Sequence, residues 1–287
     1  MGSSFALGPG GKGSNQAVAA ARLGAEVVLI SKVGRDAFGE LARQTYAAEA
    51  IDSEFVFDSA EHSTGGAAIV IDEVKGENAI VVVPGACFHL TAEEVDRAAG
   101  AIANSAIFMT QLELPIAVVE HGLSVAHRLG IPTILNPAPA HDLPANIYPL
   151  CDYLTPNEME ASALAGMNVS NLADAEHAAD ALLARGTRNL VITLGAQGAL
   201  VKNAHVTKHV PALYAGPVVE STGAGDAFNG GFAVALAEGR DIVTAAQFGC
   251  AAAGISVTRT GTAPSMPRRM EVDALLSENS LGGHHPV

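Results

Sequence analysis

The chain of 287 residues is long enough for one large α/β domain or two small ones, and its 49% hydrophobic content, 30 glycines and lack of tryptophan suit a buried parallel sheet with many tight turns. Thirty acidic against 16 basic residues leave a net charge of −14, which argues against a nucleic-acid binder but not against a nucleotide held locally at a helix terminus with a metal ion. No apolar run reaches membrane-spanning length, no secretory leader opens the chain, and Cys87, Cys151 and Cys250 are too widely spaced for a metal or redox motif, so they read as buried small hydrophobes in a reducing cytoplasm.

Residues 1–4 read as a cloning scar. Gly10-Gly-Lys-Gly-Ser-Asn-Gln-Ala-Val18 then leads into a helix that ends near Gly24. Lys12 among these glycines is not a Walker loop, because the G-x-x-x-x-G-K-[ST] spacing is absent. Taken alone, the stretch is a glycine-rich turn with Asn15 near a helix N-terminus, a common capping arrangement. Residues 26–33 predict an apolar strand, Asp36 opens a helix to about Glu49, and residues 53–57 predict a short strand. Two alternating runs, 66–72 and 78–83, predict a β-hairpin that stands off the main sheet. Thr91-Ala-Glu-Glu94 is a capping box that starts the next helix.

Strands at 106–110, 132–135, 153–154 and 189–194, with helices at 115–129 and 171–185, predict a parallel sheet covered by helices. Ligands bind such sheets beyond the carboxyl ends of the strands. Three polar segments fall there: Gln111-Leu-Glu113, Asn136-Pro-Ala-Pro139 and Thr155-Pro-Asn-Glu-Met-Glu160. By themselves, Glu113 is a loop carboxylate in water, and Asn157 with Glu160 is a capping-box analogue. Thr193, Gly195 and Gly198 close a strand with a turn, before strands at 199–202 and 206–211.

An extended run, 210–219, then leads into Glu220-Ser-Thr-Gly-Ala-Gly-Asp-Ala-Phe-Asn-Gly-Gly231 and an alanine-rich helix over 224–238. Strand, glycine turn and helix form an anion site, since the first amides of a helix point outward and its dipole adds positive potential there. Asp226 is the odd residue. A carboxylate beside an anion site repels the anion, unless it takes a proton from an incoming nucleophile. The plainer alternative is a carboxylate that stabilises its own helix. A helix over 241–256 and a loop over 259–265 follow, and the tail 281–287 reads as disordered or vector-derived.

Residues 220–231 resemble the second signature of the ribokinase-type (PfkB) sugar kinases, D-T-x-G-A-G-D-x-F-x-x-G, with Glu220 in place of the fixed Asp. Gly10, Gly11, Gly13, Asn15 and Ala17, followed by Gly24 and Gly34, resemble the first signature, and the likeness runs from about Gly10 to Pro267. The resemblance implies a single α/β domain over 1–287, a ribokinase-like three-layer sandwich with a mostly parallel sheet and helices on both faces. It implies a small β-sheet lid, the hairpin at about 63–84, which covers the sugar and pairs with a second subunit's lid in a homodimer. The implied reaction passes the γ-phosphoryl group of ATP to the primary hydroxyl of a pentose, D-ribose first. A kinase of deoxyribose, a nucleoside or a ketohexose, and a non-catalytic sugar- or nucleotide-binding regulator, stand as alternatives.

The resemblance also implies roles. Asp226 would be the base, and the amides of Gly223, Ala224 and Gly225 would hold developing charge. Gly11, Lys12, Asn15 and Glu113 would orient the sugar. Asn157, Glu160, Thr193, Gly195, Gly198 and Gly225 would serve ATP and Mg²⁺. Glu220, Thr222, Ser256, Arg259, Gly261 and Ser265 would surround a monovalent cation, K⁺, and the Glu-for-Asp departure bears on that cation rather than on catalysis. A family member is further expected to carry roughly 30 residues ahead of this start, with a first strand and a G-x-x-N-x-D motif.

Overall fold

The computed structural model describes residues 7–72 and 77–281. The proposed cloning scar, the hairpin turn and residues 282–287 of the tail lie outside the described residues. In chain order the elements are α1 (Lys12–Arg22), β1 (Ser31–Gly34), α2 (Ala37–Ala48), β2 (Val56–Ser59), β3 (Gly66–Asp72), β4 (Glu77–Val83), α3 (Ala92–Arg97), α4 (Ala99–Ala103), β5 (Phe108–Thr110), α5 (Ile116–Arg128), β6 (Thr133–Leu135), β7 (Tyr153–Leu154), α6 (Glu158–Ala165), α7 (Leu172–Leu183), β8 (Asn189–Thr193), β9 (Ala199–Asn203), β10 (Thr207–Val210), α8 (Ala224–Ala237), α9 (Ile242–Ser256) and α10 (Arg269–Leu281).

The main sheet has the order β10-β9-β8-β7-β6-β5. Its β5 to β8 pairs are parallel, and β9 and β10 close one edge antiparallel. Side chains along a strand alternate between faces, and the packing follows that period. Ile134, Val191 and Tyr153 face the cluster built on α8 and α9, where Phe228, Phe232 and Phe248 are buried. Their neighbours Leu135, Leu190, Ile192 and Leu154 face a second cluster with Leu123 of α5, Ala161 of α6 and Leu182 of α7. Helices therefore cover both faces, as the alternation predicts. A separate parallel pair, β1 and β2, and the antiparallel hairpin of β3 and β4 stand apart from this sheet.

Helix α8 is buried from Asp226 to Ala235, as an apolar helix in the middle of a fold must be. It crosses α1 at a glycine. A Cβ on Gly230 would stand 2.5 Å from the Ala19 Cβ and 3.0 Å from the Gln16 oxygen. That close approach sets α1 and α8 side by side, with both N-terminal turns at one end of the molecule.

Four expectations change. The strand at 26–33 is regular only from Ser31, and residues before it are tied by the isolated Val28–Asp52 bridge. The run 211–219 is not a strand: Pro211 and Pro217 lack the N–H a ladder needs, and Tyr214 and Val218 are 78% and 70% exposed. Leu281 belongs to α10, a helix the sequence reading left out although Val272, Leu275 and Leu276 mark its core face. Cys151 and Cys250 are buried, their thiols pushed up to about 12 by burial, whereas Cys87 is only half-buried and is pushed up to about 11 by burial and the nearby Glu113 charge. Among the described residues no helix is long and apolar enough to cross a membrane.

Candidate active site

The carboxyl ends of β6, β7 and β8 meet the N-terminal turns of α1 and α8. Lys12, Asn136, Ala138, Thr155, Asn157, Glu160, Thr193, Gly223, Gly225, Asp226 and Asn229 line a cavity of about 140 Å³ there. That is below the roughly 300 Å³ of a typical ligand site, so the cavity is too small for a whole nucleotide.

Asp226 sits in the first turn of α8 and is 6% exposed. Both of its carboxylate oxygens are held by side-chain amides of α1. Asn15 Nδ2 donates to Oδ2 at 2.9 Å, and Gln16 Nε2 donates to Oδ1 at 3.0 Å. Burial pushes the carboxyl above its ordinary range, with Glu113 adding to the shift, while Lys12 and the two amide donors oppose it. Desolvation raises a carboxyl pKa because the charged form loses its water, and a carboxyl poised in this way is suited to accept a proton. Asn15 Oδ1 is buried without a partner among the described residues. A buried acceptor left open is costly, so this atom fits a ligand donor.

The sugar-side candidates come together. The Lys12 N–H donates to Glu113 Oε2 at 2.8 Å, and Glu113 Oε2 lies 3.9 Å from where a Gly11 Cβ would stand. Glu113 is thus fastened to α1 and is not a free loop carboxylate. On the other side of the cavity, Asn157 caps α6 by accepting from the Glu160 N–H at 2.8 Å. Glu160 Oε2 accepts from the Asn157 N–H at 2.9 Å, and Oε1 accepts from Asn157 Nδ2 at 3.0 Å. The capping box is real, and it holds a nearly buried carboxylate facing the cavity. Burial raises the Glu160 pKa, and the Asn157 backbone bond and the Lys12 charge lower it.

The amide of Ala224 donates to Ser221 O at 3.1 Å, closing the turn, while Gly223 and Gly225 line the cavity. Thr193 also lines it, whereas Gly195 and Gly198 lie just outside, in the turn from β8 to β9. Gly198 is fixed by packing: φ is +95° and a Cβ would meet the Val210 oxygen at 2.1 Å.

The two loops expected to flank a cation are paired. Val219 N–H and Glu220 N–H donate to Val257 O at 2.8 and 3.2 Å, and Gly261 N–H donates to Glu220 Oε2 at 2.8 Å. Ser256 Oγ and Ser265 Oγ donate to Ala253 O and Thr262 O. Thr222 adjoins Gly223, whose Cβ would meet Thr262 at 3.3 Å. Arg259 turns its guanidinium to Glu271, leaving only its backbone for the loop. Arg22, at the end of α1, donates from Nη1 to the carbonyls of Ala263, Pro264 and Met266 at 3.1, 3.1 and 2.8 Å, and pairs with Glu49. No group of three or more His, Cys, Asp or Glu side chains able to hold a metal ion occurs among the described residues.

Sequence reasoning gave no role to Gln16, Asn136, Thr155 or Asn229, although it set Asn136 and Thr155 in polar segments at strand ends. All four are buried and hydrogen-bonded around Asp226. Their signal is a polar residue at the end of a buried strand, or one place beyond a motif residue.

The profile of the pfkB family carbohydrate kinases matches residues 1–269. The ribokinase of Bacillus subtilis is 40% identical over 278 residues, covering 96% of this chain and 90% of its own length. That of Haemophilus influenzae is 39% identical over 270 residues, covering 94% and 88%. The Arabidopsis thaliana ribokinase, solved complexed with ribose and ATP, superposes with a TM-score of 0.89 at 28% identity, covering 93% of this chain and 87% of that one.

Proposed function

This chain belongs to the pfkB family of carbohydrate kinases, and from that premise we propose that it transfers the γ-phosphoryl group of ATP to D-ribose, giving D-ribose 5-phosphate. The observation that carries the reading is Asp226, a nearly buried carboxylate gripped on both oxygens at the N-terminus of α8. The ribokinase relatives, and the ribose and ATP bound by the Arabidopsis protein, support the substrate pair.

In this reading Asp226 accepts the proton of the attacking hydroxyl. The outward amides of Gly223 and Gly225, with the α8 dipole, meet the charge on the transferred group, and the Ala224 amide holds their turn. Asn15 Oδ1, Glu113, Lys12 and Gly11 hold the sugar, and Thr193, Gly195 and Gly198 shape the nucleotide side. Glu160 offers a hard oxygen whose two atoms already accept from Asn157, which suits placement of Mg²⁺ through water. Bound Mg²⁺ would supply neutralisation of phosphate charge. Much of the catalysis is then positioning. An ADP-release assay across ribose, deoxyribose, a nucleoside and a ketohexose tests the substrate. Turnover fastest on ribose is expected, and no turnover on any of them would leave only a binding protein. ATP chemistry on a small sugar and two buried free thiols fit a cytoplasmic protein.

We propose a monovalent cation between the loops 220–222 and 259–265, which Glu220 ties together by accepting from the Gly261 N–H. Potassium is expected to raise kcat severalfold. Equal rates in potassium and in tetramethylammonium would remove the site. We also propose that the β3–β4 hairpin pairs with its copy in a dimer, since Val81, Val82 and Val83 are 63%, 57% and 55% exposed and an isolated hairpin is marginal. Val81→Lys with Val83→Lys should shift sedimentation to the monomer, and an unchanged profile would send the dimer contact elsewhere.

A further inference from the structure

We propose that Gln16 is a positioning residue for the base: its amide, oriented by Asn136 and Thr155, donates to Asp226 Oδ1 and so fixes which lone pairs of the carboxylate meet the substrate hydroxyl. The inference rests on the reading of Asp226 as base.

The direction of each hydrogen bond in this chain follows from its fixed end. A backbone carbonyl can only accept, so Asn136 turns its NH₂ to Thr155 O, at 3.0 Å. Asn136 Oδ1 must then face Gln16, whose Nε2 donates to it at 3.1 Å. The other hydrogen of that NH₂ is left for Asp226 Oδ1, at 3.0 Å. The polarity set at a strand end thus arrives at the base with one sense only, and Oδ1 is obliged to accept. The same Thr155 sends its hydroxyl the other way, to Asn229 Oδ1 at 2.6 Å, and Asn229 Nδ2 donates to Gly225 O at 2.8 Å. One residue at the end of β7 therefore sets both the base and the oxyanion end of α8.

No member of the chain, Gln16, Asn136, Thr155, Asn229 or Asp226, is more than 6% exposed. In such a setting a satisfied network fixes one arrangement, and a broken one is costly. With Oδ1 held by Gln16 and Oδ2 by Asn15, the carboxylate cannot rotate without losing both donors. Each oxygen keeps a second lone pair, and the cavity is where an incoming hydroxyl would find it.

Gln16→Met keeps the length and removes the donor. The expected result is a kcat lower by on the order of tenfold or more, with unchanged calorimetric affinity for a non-hydrolysable ATP analogue. The acid limb of kcat/KM should move to higher pH, since a carboxylate that loses a donor holds its proton more tightly. The charged groups facing Asp226 are Lys12 of α1, Glu113 after β5 and Glu160 of α6, and all three are unchanged in the variant. A core-filling role for Gln16 would lower stability and leave the pH limb in place. A wild-type kcat and pH profile in folded Gln16→Met overturns the proposal. If that variant does not bind the analogue, Asn136→Ala decides. It removes the acceptor that orients Gln16 together with the donor to Thr155 O, and leaves the Gln16 amide itself in place; it should shift the acid limb the same way by less, whereas an unshifted limb overturns the proposal. Asp226→Asn is measured alongside. Retained turnover there overturns the base itself, while lost turnover with inert Gln16 and Asn136 variants overturns only this inference.

Discussion

Asp226→Asn is expected to lower kcat by about a hundredfold or more, the usual scale for a positioned base, and at the same time to make the protein more stable. The carboxyl is buried, and burial is the first cause of its raised pKa. For a group raised in this way the folded state favours the protonated form. Its contribution to stability is present below the unfolded pKa and is lost as pH rises through the folded one. Asparagine removes that loss. Its Oδ1 still accepts from Gln16, and a turned Asn15 offers its unpartnered Oδ1 to the new NH₂. The expected gain at neutral pH is read as a higher Tm. It should shrink toward acid pH, where wild-type Asp226 is protonated. Calorimetric melting of both proteins across pH, beside steady-state kinetics, measures both halves. A variant that keeps most of its turnover would reduce Asp226 to a helix-end charge. A variant destabilised at neutral pH would mean that the amides repay the burial in full.

Gly230→Ala is expected to damage catalysis from a distance of one helical turn. A Cβ there would lie 2.5 Å from the Ala19 Cβ and 3.1 Å from the Ala20 nitrogen, against roughly 3.5–4.0 Å for an easy carbon contact. Helix propensity favours alanine by about 1 kcal/mol, but overpacking a core costs about 1–3 kcal/mol, and here the Gln16 oxygen and the Ala20 nitrogen are both backbone contacts. The helices must separate. Asn15 and Gln16 ride on α1 and Asp226 on α8, so the separation opens the bonds that hold the base. A displacement near 1 Å can cost on the order of a hundredfold in rate. We therefore expect a Tm only a few degrees lower with a much larger fall in kcat. A normal kcat in this variant would show that the base does not depend on the α1–α8 spacing.

Much of this was legible in the chain. The hairpin runs, the Thr91 box and the Asn157–Glu160 box stand where the alternation and spacing put them. The glycine turn before Asp226 does open a helix, although the segment ahead of it is coil, because two prolines outweigh its apolar residues. The motif residues Gly11, Lys12, Asn15, Glu113 and Asp226 meet at one end of the sheet. Spacing alone does not disclose which side chains bond to which. The partnership of Gln16 with Asp226 spans 210 residues and depends on the crossing at Gly230. Asn136 and Thr155 read equally well as turn residues until the fold buries them.

Helix α1 is an 11-residue rod, about 16 Å long at 1.5 Å per residue. Its first half carries Asn15 and Gln16, which grip Asp226, and its last turn carries Arg22, clamped on three carbonyls of the segment 263–266. A permanent cation belonging to the protein is therefore already installed beside the loop proposed for potassium. Arg22 ties that loop to α1 through three carbonyls, so an ion there would add field at the N-terminus of α8 more than it would build structure. Potassium in this protein would then act as a dial on rate and leave the heat resistance of the fold nearly untouched.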